Sequence, residues 1–250
     1  MVPIYKKKRL DQMMVEKGLA ATRSRAADLI RLGEVKVGGV AVLKPGALVG
    51  EGAEIAVSPG ANPYVSRGGL KLASALDAFG LDPLGRIALD IGASTGGFTH
   101  VLITRGARQV FAIDVGHGQL HAQLRAEPLV VVLEATDARS LGPEIIEAPV
   151  GAIVADVSFI SLTLALPAAL ALAAPGAWLV ALVKPQFEAG REAVGKGGIV
   201  RDAADRRAAI TRVRAFIEGT AGWTVIGEMA SPILGGSGNQ EILIGARYGA

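Results

Sequence analysis

A glycine-rich segment is the first feature of the chain that suggests chemistry. Residues 89–98 read Leu-Asp-Ile-Gly-Ala-Ser-Thr-Gly-Gly-Phe and connect a predicted strand to a predicted helix. Glycines allow the backbone to approach a ligand closely and make a sharp strand-to-helix turn. The segment is neither a P-loop nor a complete dinucleotide fingerprint, because no Gly-Lys-Ser/Thr follows and the full G-x-G-x-x-G spacing is absent. On its own it is also consistent with a simple tight turn.

Two acidic residues sharpen that interpretation. Asp114 ends the next predicted strand, where a carboxylate accepts hydrogen bonds from both hydroxyls of a ribose. Asp137 follows the third predicted strand, at a position that suits an adenine amino group. Either residue alone is also explained as a solvated loop carboxylate. Together, at the ends of successive strands, they indicate a nucleoside pocket.

A second pair of charges stands at the ends of the two most apolar predicted strands. Asp156 follows one of them and Lys184 follows the other. An unpaired buried charge is costly, so residues in such positions usually form an ion pair or take part in chemistry. A structural salt bridge is the alternative to a catalytic role, since ion-pair networks also occupy clefts.

The elements that would position these residues alternate between strand and helix from residue 87 onward. This order predicts an α/β fold with a mostly parallel sheet covered by helices, and ligands of such sheets bind beyond the carboxyl ends of the strands. The predicted strands are 87–91, 109–114, 129–133, 150–155, 178–183, 223–229 and 241–246, and the predicted helices are 97–105, 119–125, 162–173 and 202–218.

The first 60 residues predict a small, separate α+β unit. Its pattern indicates two helices, at 10–19 and from Thr22 or Ser24 to Leu32, followed by a hairpin at 35–42 and a strand at 55–57. Residues 58–63, Ser-Pro-Gly-Ala-Asn-Pro, are the best candidate for a linker. Residues 1–60 hold ten Lys/Arg and six Asp/Glu, a net charge of +4, whereas the rest of the chain carries −1 of the total of +3. This excess suggests a polyanionic partner, although a solvated basic terminus explains it as well.

Composition excludes several classes of protein. The absence of cysteine rules out a disulfide scaffold, a cysteine nucleophile and thiolate metal sites, and three histidines make a histidine-rich metal site improbable, so we expect no metal. No apolar stretch follows the early lysines as it would in a secretory signal, so we expect a cytoplasmic protein.

The uncharged run Val157–Val183 is long enough to span a bilayer, but Pro167 and Pro175-Gly176 divide it. Buried strands and a helix explain the run better than a membrane span.

The motifs resemble those of a known family. Residues 90–99, Asp-Ile-Gly-Ala-Ser-Thr-Gly-Gly-Phe-Thr, resemble motif I of the FtsJ-like ribose methyltransferases that use S-adenosylmethionine. With residues 114–120, Asp-Val-Gly-His-Gly-Gln-Leu, the pattern resembles the TlyA family, the hemolysin A-like ribosomal RNA methyltransferases. Residues 9–11, Arg-Leu-Asp, and 35–37, Val-Lys-Val, are similar to an RNA-binding module first seen in a small-subunit ribosomal protein.

The resemblance implies a fold, a domain organisation and a cofactor. The fold is a Rossmann-like methyltransferase sheet of seven mostly parallel strands. The domains are an RNA-binding domain at 1–60, a linker at 61–66 and an FtsJ-like methyltransferase domain at 67–250. The cofactor is S-adenosylmethionine. Its expected contacts are Asp90, Gly92, Ala93, Ser94, Thr95, Gly96, Gly97, Phe98, Asp114, Val115, Asp137, Ala138 and Asp156.

FtsJ-like enzymes use a Lys-Asp-Lys-Glu tetrad, and the resemblance assigns it to Lys71, Asp156, Lys184 and Glu241. A ribose 2′-hydroxyl is a poor nucleophile, so a base must take its proton. A lysine amine does so when burial and a neighbouring cation favour its neutral form. We therefore expect Lys184 to be the base and Lys71 the neighbouring cation, with Asp156 and Glu241 orienting them. Because the sulfonium methyl is already activated, alignment of the reacting atoms supplies the remaining rate gain and no metal is needed.

The resemblance also implies the substrate. It indicates 2′-O-methylation of a ribose, that of cytidine, in ribosomal RNA, with the large subunit favoured by the short C-terminus. Ribosomal RNA and ribosomal subunits are the expected partners, no membrane is involved, and a monomer is expected. A membrane-active hemolysin and a non-catalytic RNA-binding protein are the alternatives. The expected RNA contacts are Lys8, Arg9, Arg23, Arg25, Arg31, Lys36, Lys44 and Arg67.

Overall fold

The computed structural model describes residues 7–20, 22–58, 62–235 and 238–249. The chain divides into two compact units, residues 1–67 and 68–250. Residues 59–61, which belong to the predicted linker, lie outside the described residues.

The first unit is a small α+β domain, as predicted. Its helices α1 and α2 pack over two small antiparallel sheets, with strand orders β1-β4 and β3-β2-β5. Leu10, Met14 and Ile30 fill its core and have no exposed surface. The elements are β1 Lys7–Arg9, α1 Leu10–Glu16, α2 Arg23–Arg31, β2 Val35–Val37, β3 Val40–Ala41, β4 Leu48–Gly50 and β5 Ile55–Val57.

The helix ends in this unit have identifiable causes. Helix α1 ends at Glu16, three residues earlier than predicted, and Gly18 then adopts a left-handed φ of 71°. Of the two predicted caps for α2, Thr22 is the one used, and its hydroxyl accepts a hydrogen bond from the Arg25 N–H at 3.1 Å.

The segment that follows the first unit's last strand is fixed to this unit by hydrogen bonds. The Arg25 guanidinium donates to the carbonyl oxygens of Asn62 (2.5 Å) and Tyr64 (2.7 Å). The side chain of Asn62 is buried and bonds to Tyr64 and Ser66. Arg67 pairs with Asp28, its Nε lying 3.1 Å from Oδ1. The described part of the predicted linker is thus an ordered extension of the first unit.

The second unit is built around a seven-stranded, mostly parallel sheet, as predicted. The strand order is β11-β12-β10-β9-β6-β7-β8. Strands β10, β9, β6, β7 and β8 are parallel to one another, and β12 runs antiparallel to both β10 and β11. The elements are α3 Gly68–Phe79, β6 Ile87–Ile91, α4 Gly97–Thr104, β7 Gln109–Ile113, α5 Ala122–Arg125, β8 Val130–Leu133, β9 Val150–Ala155, α6 Leu162–Ala165, α7 Pro167–Ala171, β10 Ala173–Val183, α8 Pro185–Glu188, α9 Ala203–Gly219, β11 Trp223–Ala230 and β12 Ile242–Tyr248.

The order of the strands determines where a ligand can bind. The chain builds outward from β6 through β7 to β8, and it then returns to the other side of β6 with β9. The strand order therefore reverses between β6 and β9, which opens a crevice at their carboxyl ends. Aliphatic side chains such as Leu89, Ile153 and Leu179 fill the core of this sheet and have no exposed surface.

Several elements differ from the prediction. The single helix predicted at 162–173 is two short helices, because Pro167 cannot continue the hydrogen bonding of α6 and instead begins α7. Strand β10 begins at Ala173, five residues before the predicted start. Helix α3 was absent from the prediction, although it carries Lys71. Within the described residues, no helix is both long and apolar enough to cross a membrane.

Candidate active site

A cavity of about 420 Å³ lies at the carboxyl ends of β6, β7, β8 and β9, where the strand order reverses. Its wall combines the glycine-rich loop after β6 with the acidic residues that end the neighbouring strands. Apolar side chains make up much of the rest. The lining residues include Gly92, Ser94, Ile113, Asp114, Val115, Gly116, Gln119, Asp137, Ala138, Asp156, Ser158 and Phe159.

Two glycines give the loop its shape. Gly92 has a φ of 82°, and a Cβ there would lie 2.7 Å from the carbonyl oxygen of Asp156, so only glycine allows the loop to meet the end of β9. Gly96 has a φ of 93° and precedes α4, and a Cβ at this position would overlap the side chain of Leu124. Ser94, between them, takes a left-handed φ of 47° despite its side chain. Such strain in a non-glycine residue is typical of functional loops.

Asp114 is held in place by this loop. Its carboxylate accepts hydrogen bonds from the backbone N–H groups of Ser94 (2.8 Å) and Gly116 (2.7 Å). The Ser94 hydroxyl in turn donates to the Gln119 side chain at 3.1 Å. Each carboxylate oxygen has capacity for a further hydrogen bond, so the geometry suits recognition of a hydroxyl pair.

Asp137 lines the cavity but is already engaged. Its carboxylate accepts hydrogen bonds from the Arg139 guanidinium and from the Arg139 backbone N–H at 2.9 Å. These bonds lower the pKa of Asp137 to about 2, so it is a carboxylate at neutral pH. The expected acceptor for an adenine amino group is therefore present and shared with Arg139.

Asp90 lies beneath the loop and has no exposed surface. One carboxylate oxygen accepts a hydrogen bond from the Thr99 hydroxyl at 2.5 Å, which ties β6 to α4. The other oxygen has no hydrogen-bond partner among the described residues. Burial raises the pKa of Asp90 to about 7, and the nearby charges of Asp156 and Asp114 act in the same direction. Asp90 shapes the loop and does not line the cavity.

The structure separates the predicted cofactor residues into two groups. Seven of them line the cavity: Gly92, Ser94, Asp114, Val115, Asp137, Ala138 and Asp156. The other six lie in or behind the turn of the loop: Asp90, Ala93, Thr95, Gly96, Gly97 and Phe98. Phe98, for example, is buried in the first turn of α4. These six are not part of the cavity wall, and their contact with a cofactor stays a prediction.

The predicted tetrad forms two ion pairs. The Lys184 Nζ lies 2.7 Å from the Asp156 Oδ1 and donates a hydrogen bond to the Ser158 hydroxyl at 2.9 Å. The Lys71 Nζ donates to the Glu241 Oε2 at 2.5 Å, and both side chains are nearly buried. Asp156 belongs to the cavity wall, so the first pair borders the cavity directly.

Strand register explains how four distant positions reach one edge of the sheet. Strand β9 ends at Ala155, which pairs with Ala181 of β10, so Asp156 and Lys184 both follow neighbouring parallel strands. Val183 pairs with Ile242 in the antiparallel β10–β12 ladder. Lys184 and Glu241 are therefore the next residues beyond the same end of that ladder. Lys71 joins them from α3 through its bond to Glu241.

Sequence reasoning missed the aromatic residue at the mouth of the cavity. Phe159 has 91% of its surface exposed and a left-handed φ of 66°, and its ring centroid lies 5.1 Å from that of Phe187. An exposed, strained aromatic residue is unexpected unless something is to bind there. Its place after Asp156-Val157-Ser158 was visible in the sequence, but neither its exposure nor its backbone conformation was.

Two further carboxylates organise the walls and were also missed. Glu134 accepts hydrogen bonds from the backbone N–H groups of Gly118, Gln119 and Leu120. Glu188 is buried and bonds to Ser161 and Leu162. Both were hidden from the sequence analysis, because only the folded chain shows which backbone groups a carboxylate meets.

The basic residues of the first unit are mostly paired. Asp11 and Asp28 each hold two arginines, and Lys8 pairs with Glu16. Half-buried Arg25 is committed to backbone carbonyls, and burial lowers its pKa. Over the described ranges, exposed Lys36 and Lys44 form no ion pair. The half-exposed Arg9, Arg23 and Arg31 keep part of their guanidinium surface in solvent, and contact of these arginines and of Arg25 with RNA stays a prediction.

The crevice, the glycine-rich loop and the acids at successive strand ends define a class of protein, the Rossmann-like methyltransferases. A structure of an S-adenosylmethionine-dependent methyltransferase from Listeria monocytogenes matches with a TM-score of 0.51 and 14% identity, over 71% of this chain and 99% of that chain. At this identity the match shows the fold alone.

Closer relatives show the family. Residues 64–248 match the FtsJ-like methyltransferases, and residues 8–55 match the S4 domain. The 16S/23S rRNA (cytidine-2′-O)-methyltransferase TlyA of Mycobacterium tuberculosis is 46% identical over 96% of this chain and 89% of its own length. A solved hemolysin-named protein from Streptococcus thermophilus is 41% identical, with a TM-score of 0.75, over 97% of this chain and 88% of that chain. The chain belongs to the FtsJ-like methyltransferase family and, within it, to the TlyA group.

Proposed function

We propose that this protein transfers the methyl group of S-adenosylmethionine to the 2′-oxygen of a ribose, that of a cytidine, in ribosomal RNA. The observation that carries the proposal is the Lys184–Asp156 ion pair, whose Asp156 lines the cavity. The fold and the family imply use of S-adenosylmethionine. The activity that the mycobacterial relative is named for and the S4 domain support ribosomal RNA as the substrate.

The cavity suits the cofactor. Asp114 would accept hydrogen bonds from the two ribose hydroxyls, since the loop already fixes its orientation. The apolar side chains of Val115 and Ala138 would cover the adenine, and Asp137 would accept from its amino group. Gly92, which lines the cavity, would place its backbone beside the methionine portion. When bound, S-adenosylmethionine supplies a methyl group already activated by its sulfonium.

Lys184 would act as the general base. Its neutral amine would take the proton of the 2′-hydroxyl as the oxygen attacks, and the resulting ammonium would be stabilised by Asp156. The Ser158 hydroxyl would orient the amine. The proton would then pass to solvent, which restores the amine. The buried Lys71–Glu241 ion pair would hold its two charges in a constant position near Lys184. Lys184 and Glu241 both lie at the same end of the β10–β12 ladder.

Phe159 would receive the target nucleotide. An exposed aromatic ring beside the reacting groups offers a stacking surface for an unstacked base, and single-stranded or flipped RNA bases are commonly held in this way. The first unit would anchor the protein through phosphates, and Lys36 and Lys44, which form no ion pair among the described residues, would be two of its contacts. Phosphate contacts position a protein without reading much sequence, so the pocket around Phe159 would select the nucleotide.

Two variants of the whole chain test the assignment of roles. We expect Lys184→Ala to abolish methyl transfer while the dissociation constant for S-adenosylmethionine stays within about threefold, because the base contacts the nucleophile and not the nucleoside. We expect Asp114→Ala to weaken cofactor binding by about tenfold or more, the scale of lost charge-assisted hydrogen bonds. Calorimetry and a filter assay with labelled cofactor measure the two quantities. Near wild-type turnover in Lys184→Ala would refute the proposed mechanism.

A further inference from the structure

Glu188 is a buried carboxylate that has no direct role in the methyl transfer proposed for Lys184. It has 4% of its surface exposed. Its Oε2 accepts a hydrogen bond from the Ser161 hydroxyl at 2.6 Å, and its Oε1 accepts one from the backbone N–H of Leu162 at 2.7 Å. Among the described residues, no cation forms an ion pair with this carboxylate.

The energetics of this arrangement point to a function. A buried carboxylate that is met only by neutral donors costs desolvation energy, and an apolar side chain would fill the same space more cheaply. Buried residues that carry such a cost are expected chiefly at functional sites. The hydrogen bonds of Glu188 therefore contribute something other than stability alone.

The hydrogen bonds of Glu188 join the two segments that carry the reacting groups. One segment, residues 156–162, holds Asp156, Ser158 and Phe159, and the other, residues 184–188, holds Lys184 and Phe187. Three contacts already link them: the Lys184–Asp156 ion pair, the Lys184–Ser158 hydrogen bond and the Phe159–Phe187 ring contact. Glu188 adds the most deeply buried link.

The strained backbone at Phe159 needs such a link. A bulky side chain with a φ of 66° relaxes to a commoner conformation unless the chain is fixed on both sides. On one side, the Asp156 N–H donates to the Ile91 carbonyl oxygen at 2.9 Å. On the other side, Glu188 holds Ser161 and Leu162. Helix α9 keeps Glu188 itself in place, since Arg212 donates to its backbone carbonyl oxygen at 2.5 Å.

We propose that Glu188 is a positioning residue for methyl transfer. It holds residues 156–162 against residues 184–188, so that the Lys184 amine, the Ser158 hydroxyl and the Phe159 ring keep the alignment that the reaction needs. This inference rests on the proposed function, because it concerns the same reacting groups. Glu188 lies outside the cavity wall and touches neither substrate nor cofactor.

Conservative substitution of Glu188 separates the effect of its hydrogen bonds from the effect of its charge. In Glu188→Gln, the amide oxygen still accepts from Leu162 and the amide nitrogen donates to the Ser161 oxygen, while the Ser161 hydroxyl turns to Thr163, which lies 2.8 Å away. Glu188→Ala removes both bonds. Ser161→Ala removes one and leaves the carboxylate in place, which provides a milder variant should Glu188→Ala fold poorly.

The experiment measures kcat, the KM for ribosomal RNA and the dissociation constant for S-adenosylmethionine at a temperature where every variant is folded. We expect kcat to fall by about tenfold or more in Glu188→Ala and by a smaller factor in Ser161→Ala, with KM and the dissociation constant within about threefold of wild type. Glu188→Gln should recover kcat to within about threefold of wild type. Hydrogen exchange should accelerate in residues 157–163 of Glu188→Ala.

Glu228→Ala is the matched control, because it removes a carboxylate that bonds to Arg207 and Arg214 on the far side of α9. It should lower Tm without lowering kcat. The proposal is overturned if Glu188→Ala keeps wild-type kcat, or if its loss of kcat is reproduced by Glu228→Ala at an equal loss of Tm. A wild-type protein that methylates no ribosomal RNA would instead refute the proposed function, and the exchange measurement would still show whether Glu188 fixes the segment.

Discussion

At the scale of single residues, the pH dependence of stability tests the effect of burying Asp90. Its pKa is about 7 in the folded protein and near 3.8 in the unfolded chain. Between these values the folded state keeps a proton that the unfolded state releases, so stability falls as pH rises from about 4 to about 7. One pKa unit corresponds to about 1.4 kcal/mol, which sets an upper limit of about 4 kcal/mol for the loss.

Asp90→Asn should remove this dependence, because an amide has no proton to lose and its oxygen still accepts from Thr99. Urea unfolding of both proteins at pH 5 and pH 8 measures the difference, with exposed Asp77→Asn as the control. We expect the variant to gain stability relative to wild type at pH 8. An equal fall in stability between the two pH values for Asp90→Asn and wild type would contradict the burial argument.

Single residues also show how far sequence could predict the site. Asp114, Asp156 and Lys184 were predictable because each stands at the end of a strand whose apolar pattern is unmistakable. Phe159 and Glu188 were not, because their importance lies in backbone conformation and burial. The hydrogen bonds from Arg25 to backbone carbonyl oxygens were not predictable for a related reason. A surface arginine and an arginine bonded to the backbone have the same sequence pattern.

At the scale of elements, the loop between β7 and α5 depends on Glu134. Its carboxylate pairs with Arg125 at 2.7 Å and accepts three backbone hydrogen bonds from residues 118–120. The bond from Arg125, with those backbone bonds, lowers the pKa of Glu134 to about 2. Gly116 and Gln119 of this loop line the cavity, so Glu134 fixes one wall of the cavity.

We expect Glu134→Gln to weaken S-adenosylmethionine binding by about three- to tenfold, because a neutral amide loses the charge-assisted bonds that fix the loop. Calorimetry at pH 7 measures this, and exposed Glu147→Gln is the control. The bonds of Glu134 also stabilise the folded state above pH 4.5, and this stabilisation is lost as pH falls toward 2. Unchanged affinity in Glu134→Gln would mean that the loop keeps its shape without the carboxylate.

Most elements were predictable, and the exceptions have physical reasons. The five parallel strands read as apolar runs because both of their faces are covered. Helix α3 escaped notice because Gly68-Gly69 at its start suggests a turn, whereas burial of Leu72 and Leu76 against the sheet stabilises a helix there. Pro167 was visible in the sequence, but its effect as the break between α6 and α7 depends on how both short helices pack.

At the scale of the whole molecule, RNA affinity should respond to the unpaired cations of the first unit. We expect replacement of Lys36 and Lys44 together by Glu to raise the KM for ribosomal RNA and to lower the salt dependence of binding by about one to two log units per log salt. Cofactor affinity should not change. Filter binding from low to physiological salt measures the slope, and Arg108→Glu, an exposed charge reversal in the second unit, is the control. An unaltered slope would show that these lysines contact no phosphate.

Analysis of the reaction product tests whether the protein methylates a ribose of ribosomal RNA with Lys184 as the base. The whole protein is incubated with purified ribosomal subunits and S-adenosylmethionine carrying a labelled methyl group, and the RNA is digested to nucleosides for mass spectrometry. We predict labelled 2′-O-methylcytidine from the wild-type protein and none from Lys184→Ala that still binds the cofactor. Label on a base, or equal amounts of 2′-O-methylcytidine from both proteins, would contradict the account.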